Sequence, residues 1–234
     1  MLSSPLLSIV IPVFNEEDNI KPLIVSIQKE LSIYSYELIF VDDFSSDTTS
    51  EIIKSEANLH TSLITFEYHK GQSSALAAGI ESARGHYIAT MDGDLQNDPS
   101  DIPKMLELIQ KEGWDMVIGF RQNRQDPFLK TMPSKIANFI IRKTTQLQIR
   151  DSGCALKVMT SKIAKEIPLY GELHRFMALN AHIKGARITE TPIIHHPRIY
   201  GVSKYGLERT FKVMRDLSQI IFAHKTLHSK RVNT

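Results

Sequence analysis

The sequence predicts a doubly wound α/β domain, and three observations carry that expectation. Five short apolar runs in the first half of the chain are separated by helix-length amphipathic stretches. The first, second and fifth runs are dense in Ile and Val, as strands buried on both faces of a parallel sheet are. Residues that cap helices stand where two of the intervening stretches begin.

In order, Leu6–Phe14 reads as the first strand and Asp18–Leu31 as its following helix. Glu37–Val41 is the second strand, and Asp47 stands as N-cap before the helical stretch Thr48–Ala57. Ser62–Tyr68 and Tyr87–Met91 are the third and fourth strands, with Ser73–Ala83 helical between them. Ser100 precedes the helix Asp101–Glu112, and Met116–Phe120 is the fifth strand. No internal repeat or low-complexity tract interrupts the series.

Ligands of such sheets bind beyond the carboxyl ends of the strands. Three segments therefore share one rim: Pro12–Glu16, Asp42–Asp47 and Asp92–Asp98. The third begins MDGDLQND at Met91. In an extended segment residues i, i+2 and i+4 face one way, which would bring Asp92, Asp94 and Gln96 to one point. Gly93 would let the backbone approach a ligand there. Such hard oxygen donors suit Mg²⁺ or Mn²⁺ bridging to substrate phosphates. A calcium loop is excluded, because Gln96 and Asn97 replace its third ligand and turn glycine, and Pro103 its closing glutamate. A plain acidic turn is the bland alternative, and the place on the rim argues against it.

At 234 residues the chain is long enough for a sizeable core. Its single cysteine, Cys154, excludes an intrachain disulfide framework and reads as a small buried apolar residue in a reducing compartment. No basic segment precedes Leu6–Phe14, and no stretch approaches the ~20 apolar residues of a membrane helix. The expectation is a cytoplasmic protein, peripheral at the cytoplasmic face of a membrane, with no nucleic-acid partner. The net charge of +2 conceals a strong polarity. Residues 1–117 hold 7 Lys/Arg against 19 Asp/Glu, whereas residues 118–234 hold 21 against 7. An acidic half suits a divalent cation, and a basic half suits phosphates or an anionic lipid surface.

The segments SIVIPVFNEEDNI (8–20), VDDFSSDTT (41–49), GQSSALAAGI (71–80), ARGHYIATMDGDLQNDP (83–99), DSGCALKV (151–158), HRF (174–176) and RIYGVSKY (198–205) span nearly the whole chain. In that order and spacing they resemble the family 2 glycosyltransferases of the GT-A fold. They resemble in particular the group that charges polyprenyl phosphates, such as dolichyl-phosphate mannose synthase and its bacterial relatives. The resemblance implies that Pro12, Asn15, Glu16, Asp42 and Asp43, with Asp92, line the nucleotide pocket. It also implies that Asp92, Asp94 and Gln96 surround a Mg²⁺ or Mn²⁺ ion on the diphosphate. Two residues depart from the family pattern: Phe44 stands where glycine is frequent, and Gln72 where lysine is frequent. Sugar nucleotidyltransferases carry a glycine-rich basic loop after the first strand, and here that place holds PVFNEEDN.

The basic half would serve the acceptor. GFRQNRQDPFLKTMPSK (119–135) places Arg121, Arg124, Lys130 and Lys135 beside turn formers, and reads either as a solvated loop or as a mobile flap offering cations to phosphate. RIYGVSKY sets Arg198 and Lys204 around Gly201 and Ser203, and resembles the family's acceptor-side phosphate loop. Asp94, Asp151, Arg121, Arg198 and Lys204 are thus the catalytic candidates. Asp151 stands where many family members carry a base, but a phosphate monoester is already largely ionised, with a second pKa of about 6. Its role as base or as loop-orienting residue stays open. His195 and His196, as neighbours in a strand, should point to opposite faces rather than share a metal.

The expected organisation is a nucleotide-sugar and metal half at 1–120, an acceptor-side half at 121–204, and an amphipathic helix with a basic tail at 205–234. Leu207, Phe211, Met214, Leu217, Ile221 and Leu227 form the stripe of that helix, with Arg209, Lys212, Arg215 and Lys225 beside it. The stripe either packs on the core or docks on an anionic membrane surface or membrane partner protein. The expected function is metal-dependent, inverting transfer of a sugar from a nucleoside diphosphate to a polyprenyl phosphate, in cell-envelope glycan synthesis. Two alternatives remain: transfer to a saccharide hydroxyl with Asp151 as base, and a sugar-nucleotide-binding scaffold without catalysis. The sequence does not set the base, the sugar or the oligomeric state.

Overall fold

A computed structural model describes residues 4–122, 138–145, 147–200, 215–220 and 222. The first half alternates strand and helix: β1 (Leu7–Val13), α1 (Glu17–Glu30), β2 (Tyr36–Asp42), α2 (Thr49–Glu56), β3 (Thr61–Thr65), α3 (Gln72–Ser82), β4 (Tyr87–Thr90), α4 (Asp101–Glu112) and β5 (Met116–Arg121). Residues 138–145 form helix α5. After it come β6 (Lys157–Thr160), α6 (Ser161–Glu166), a 3-10 turn at Leu173–Phe176, α7 (Met177–Ile183) and β7 (Ile188–Ile193). The expected strands and helices of the first half are all present, with ends shifted by three residues at most.

The sheet runs β3-β2-β1-β4-β6-β5-β7. β1, β2, β3 and β4 pair in parallel, and so do β5 and β7. The β6 strand lies antiparallel between β4 and β5, so the fifth strand is not the fourth strand's neighbour as a simple reading of chain order suggests. The result is a GT-A-like, mostly parallel sheet flanked by helices. Burial explains which strands were readable. β1 is almost wholly buried, as its LSIVIPV composition requires, whereas β3 at the sheet edge alternates half-buried and exposed positions.

The helices stop where local chemistry stops them. Gly113 adopts φ 69° after α4, and its N–H closes on the Ile109 carbonyl at 3.0 Å. At the start of α4 the Ser100 side chain makes no cap bond; Asp98 Oδ1 instead accepts the Ser100 N–H at 2.9 Å. At α2 the N-cap is Thr48, whose side chain makes no cap bond; Asp47, expected as the cap, stands one residue earlier and accepts the Thr49 N–H at 3.0 Å.

One buried polar network ties the strand starts together. Glu37 accepts the Ser8 hydroxyl at 2.6 Å, the Arg84 N–H at 2.7 Å, and the Arg84 guanidinium through Nε and Nη2 at 2.9 and 2.7 Å. Burial works to raise the Glu37 carboxyl, yet these donors hold it below its ordinary value. Cys154 is buried, and burial pushes its thiol up to about 11, which leaves it as inert packing. In the terminal segment Leu217 is buried against the core, Arg215 and Phe222 are exposed, and Asp216 Oδ2 accepts the Glu172 N–H at 3.2 Å. That turn packs on the domain. The other stripe residues, Leu207, Phe211, Met214, Ile221 and Leu227, with Arg209, Lys212 and Lys225, lie outside the described residues. Among the described residues no helix is long and apolar enough to cross a membrane.

Candidate active site

β1 is flanked by β2 on one side and β4 on the other, so the direction of strand succession reverses between β1 and β4. A crevice opens beyond the carboxyl ends at such a reversal. The segments after β1 and β4 meet there because position 93 has no side chain: a Cβ on Gly93 would stand 2.8 Å from Val13 Cγ1. Gly93 is thus needed for packing of the acidic turn on β1.

The turn itself is not extended. Leu95 adopts φ 61°, in the left-handed region, and Asp94 Oδ1 accepts the Gln96 N–H at 3.1 Å. A turn, rather than strand alternation, therefore brings the two carboxylates together. Asp94 is buried and Asp92 partly so. Burial, and then the facing Asp94 carboxylate, push the Asp92 carboxyl up to about 6, against the pull of Lys157, Arg121 and Arg175. Asp92 Oδ1 accepts the Gln72 amide at 2.8 Å. Gln96 reaches the His196 carbonyl through Nε2 at 3.4 Å.

The loops after β1 and β2 are knit to one another. Asn15, at φ 52°, accepts the Ser46 N–H through Oδ1 at 2.8 Å, and its own N–H meets Ser45 Oγ at 2.9 Å. Pro12 and Glu16 are half-buried beside them, and Glu16 Oε2 accepts the Asn19 amide at 2.7 Å. Asp42 and Asp43 are buried and engaged within the fold. Asp42 accepts Ser45 through N–H and hydroxyl at 3.0 and 2.5 Å, and its second oxygen accepts Ser50 Oγ. Asp43 accepts the Lys70 and Gly71 N–H groups at 2.7 and 2.8 Å and meets His69 Nδ1 at 3.0 Å. Both residues brace the loop after β2 from within. Phe44 adopts φ 70°, which explains why glycine suits that position.

Arg121 ends β5 and grips Asp151 with a fork, Nε to Oδ2 at 2.7 Å and Nη2 to Oδ1 at 2.9 Å. Arg121 belongs to the sheet's rim rather than to a separate flap; Arg124, Lys130 and Lys135 lie outside the described residues, as does Lys204. Sequence reading missed three groups here. Lys157 is 2% exposed on β6, shares a small pocket with Asp92 and donates to the Cys154 carbonyl. Its ammonium is pushed down by burial. His174 is buried with Nδ1 2.8 Å from Ser73 Oγ, and Arg175 lines the same pocket as Lys157. HRF carries a signal only through the family resemblance, and Lys157, first residue of the four-residue β6, carries none of its own.

The segment 193–198 runs along the acidic turn. Ile194 N–H donates to Asp101 Oδ2 at 2.7 Å, His196 N–H to the Gln96 carbonyl at 2.9 Å, and His196 Nε2 lies 2.8 Å from Asp98 Oδ2. His195 is half-buried and His196 exposed, and both follow β7 rather than lie within it. Arg198 then points back, its Nη2 on Asp94 Oδ2 and its Nη1 4.0 Å from Glu16 Oε1. One rim thus gathers Asn15, Glu16, Asp92, Asp94, Gln96 and Arg198.

Comparison with known proteins places this geometry. Residues 8–167 match the model of the family described as glycosyl transferase family 2. The dodecaprenyl-phosphate galacturonate synthase of Rhizobium johnstonii is 41% identical over 92% of the chain. The undecaprenyl-phosphate 4-deoxy-4-formamido-L-arabinose transferase of Yersinia pestis is 36% identical over 90% of it. The chain spans 66% and 65% of the lengths of these curated relatives. A crystal structure of Mycobacterium tuberculosis glucosyl-3-phosphoglycerate synthase, in complex with Mn²⁺ and UDP-glucose, superposes with TM-score 0.74 at 16% identity, covering 93% of this chain and 79% of that one. Sequence motifs, sheet order and family match agree: the chain belongs to glycosyl transferase family 2.

Proposed function

We propose that the protein is a glycosyltransferase that moves one sugar, with inversion, from a nucleoside diphosphate to a polyprenyl phosphate, using Mg²⁺ or Mn²⁺. The observation that carries this reading is the Asp92–Asp94 pair at the β1/β4 reversal, where burial and mutual repulsion raise Asp92 to about 6. Two neighbouring carboxylates that repel one another offer a divalent cation hard oxygen donors. Among the described residues no set of three or more His, Cys, Asp and Glu gathers as a metal site. The donor set proposed here is smaller, two carboxylates and an amide, and suits an ion that completes its shell with water and substrate phosphate, as Mg²⁺ does. When bound, such an ion would offset charge growing on the departing diphosphate.

The chain's own groups then divide the work. Asn15, Glu16 and the loop braced by Asp42 and Asp43 receive the base and ribose, and Asp92, Asp94 and Gln96 hold the ion. Arg198 and Lys204 bind phosphate. The acceptor reading rests on the relatives, whose names specify dodecaprenyl and undecaprenyl phosphates. Such an acceptor attacks through an oxygen that is already ionised, so no base is required. Asp151, held in the Arg121 fork, is then a positioning residue that fixes the rim of β5. The acidic first half serves the donor, and the basic second half meets the acceptor at an anionic membrane surface, which the chain approaches peripherally.

The test is product formation. The protein is incubated with UDP- and GDP-sugars and Mn²⁺, with and without polyprenyl phosphate, and products are identified by mass. A glycosylated polyprenyl phosphate formed from one donor is the expected result. Transfer only to saccharides, or no transfer from any donor, overturns the reading.

A further inference from the structure

Asp94 has both oxygens engaged, Oδ1 by the Gln96 N–H and Oδ2 by the Arg198 guanidinium. Arg198 also faces Glu16, so its charge sits among the carboxylates proposed to meet the ion and the nucleotide. A guanidinium and a dication cannot share one carboxylate oxygen without strong repulsion in a site this enclosed. We propose that Arg198 is the resident counter-ion of the metal-free rim, and that it yields Asp94 when a divalent cation arrives with the diphosphate. This rests on the metal reading above.

The neighbouring backbone defines what can move. The strand-like segment before Arg198 is fastened to the acidic turn by Ile194 on Asp101, His196 on Gln96, and His196 on Asp98. These bonds hold the backbone preceding Arg198 at the rim while its side chain changes partner. The guanidinium released from Asp94 stays within side-chain reach of the phosphates and carries a planar fork suited to them. Donor loading would thereby create a free cation for phosphate, so that metal and nucleotide bind before the acceptor is gripped.

The test is Mn²⁺ titration of the full chain, followed by the electron paramagnetic resonance of free Mn²⁺, with and without UDP or GDP. Arg198→Met removes the competing charge and keeps an unbranched apolar stem. Without nucleotide it should bind Mn²⁺ about tenfold more tightly than wild type, the decade expected from one largely desolvated ion pair. With nucleoside diphosphate the order should reverse, because the variant lacks a phosphate ligand. Arg198→Lys should fall between the two. Thermal melting adds a readout: metal-free Arg198→Met should melt below wild type, as loss of any paired arginine would cause, but Mn²⁺ should restore it, which a merely structural arginine would not allow. Unchanged or weaker Mn²⁺ binding by nucleotide-free Arg198→Met, with wild type binding Mn²⁺ in the presence of nucleotide, overturns the exchange and leaves the metal reading intact. No Mn²⁺ binding by either protein, with or without nucleotide, overturns both.

Discussion

Replacing Asp151 by asparagine separates the two chemistries an acceptor could require. The carboxylate accepts two N–H groups of Arg121, at 2.7 and 2.9 Å, with both side chains largely shielded, 9% and 14% exposed. An asparagine keeps one acceptor oxygen and turns its NH₂ toward the guanidinium, so one charge-assisted bond is lost. That costs about 1.5–3 kcal/mol. At ~2–4 °C per kcal/mol for a chain of this size, the melting temperature should fall by roughly 3–12 °C, with the fold retained. Activity is measured below that transition with saturating nucleotide sugar and polyprenyl phosphate. If Asp151 only positions the rim, kcat should stay within about tenfold of wild type. Loss of a general base costs about 10²-fold or more and would remove an ionisation from the pH–rate profile. A folded Asp151→Asn protein with kcat down by that much, and an unchanged KM for the donor, refutes the positioning role and revives a hydroxyl acceptor.

Other perturbations test neighbouring parts of the account. Asp94→Ala should abolish turnover and metal-dependent nucleotide binding while circular dichroism stays native; full activity, or activity of wild type in excess chelator, contradicts the metal site. Because Asp92 is raised from 3.8 to about 6, protons compete with the ion below that pH. Mn²⁺ affinity should therefore fall by up to about tenfold per pH unit beneath pH ~6, and an affinity flat from pH 7 to 5 contradicts the shift. The same shift makes the metal-free folded state bind more protons than the unfolded chain between those two values. Its contribution to stability is thus full below about pH 4 and lost as pH rises through ~6, a trend that denaturant titrations of wild type and Asp92→Asn can compare. Gln72→Leu releases Asp92 Oδ1, and isothermal titration should show Mn²⁺ binding weakened several-fold with the fold unchanged. Glu37→Ala strips Arg84, Ser8 and the Arg84 N–H of their shared acceptor, and urea unfolding should register a loss of about 3 kcal/mol without effect on nucleotide binding.

Much of the fold was legible because burial on both faces leaves a local trace. Val10 and Ile39 lie in continuous apolar runs, and α1 carries its core residues at helical spacing. β6 left no such trace: it has four residues, begins with a buried lysine and owes its place to pairing with β4 and β5. β7 is half-exposed over much of its length and similarly mute. The acidic turn announced itself as carboxylates at a strand's end, although the extended geometry expected for it gives way to a turn at Leu95. The engagement of Asp42 and Asp43 within the loops was not legible, because it depends on Ser50, Lys70 and Gly71 meeting them in space. Arg198 on Asp94 spans more than a hundred positions of chain, a separation at which spacing carries no information.

The central claim is direct displacement at the anomeric carbon by a phosphate oxygen. It is tested by the anomeric configuration of the product. Wild-type protein, Mn²⁺, an α-linked nucleotide sugar and a short polyprenyl phosphate should yield a single sugar phosphodiester whose proton and phosphorus couplings report the β-linkage. An α-linked product, or a sugar found on a hydroxyl instead of the phosphate, contradicts the account.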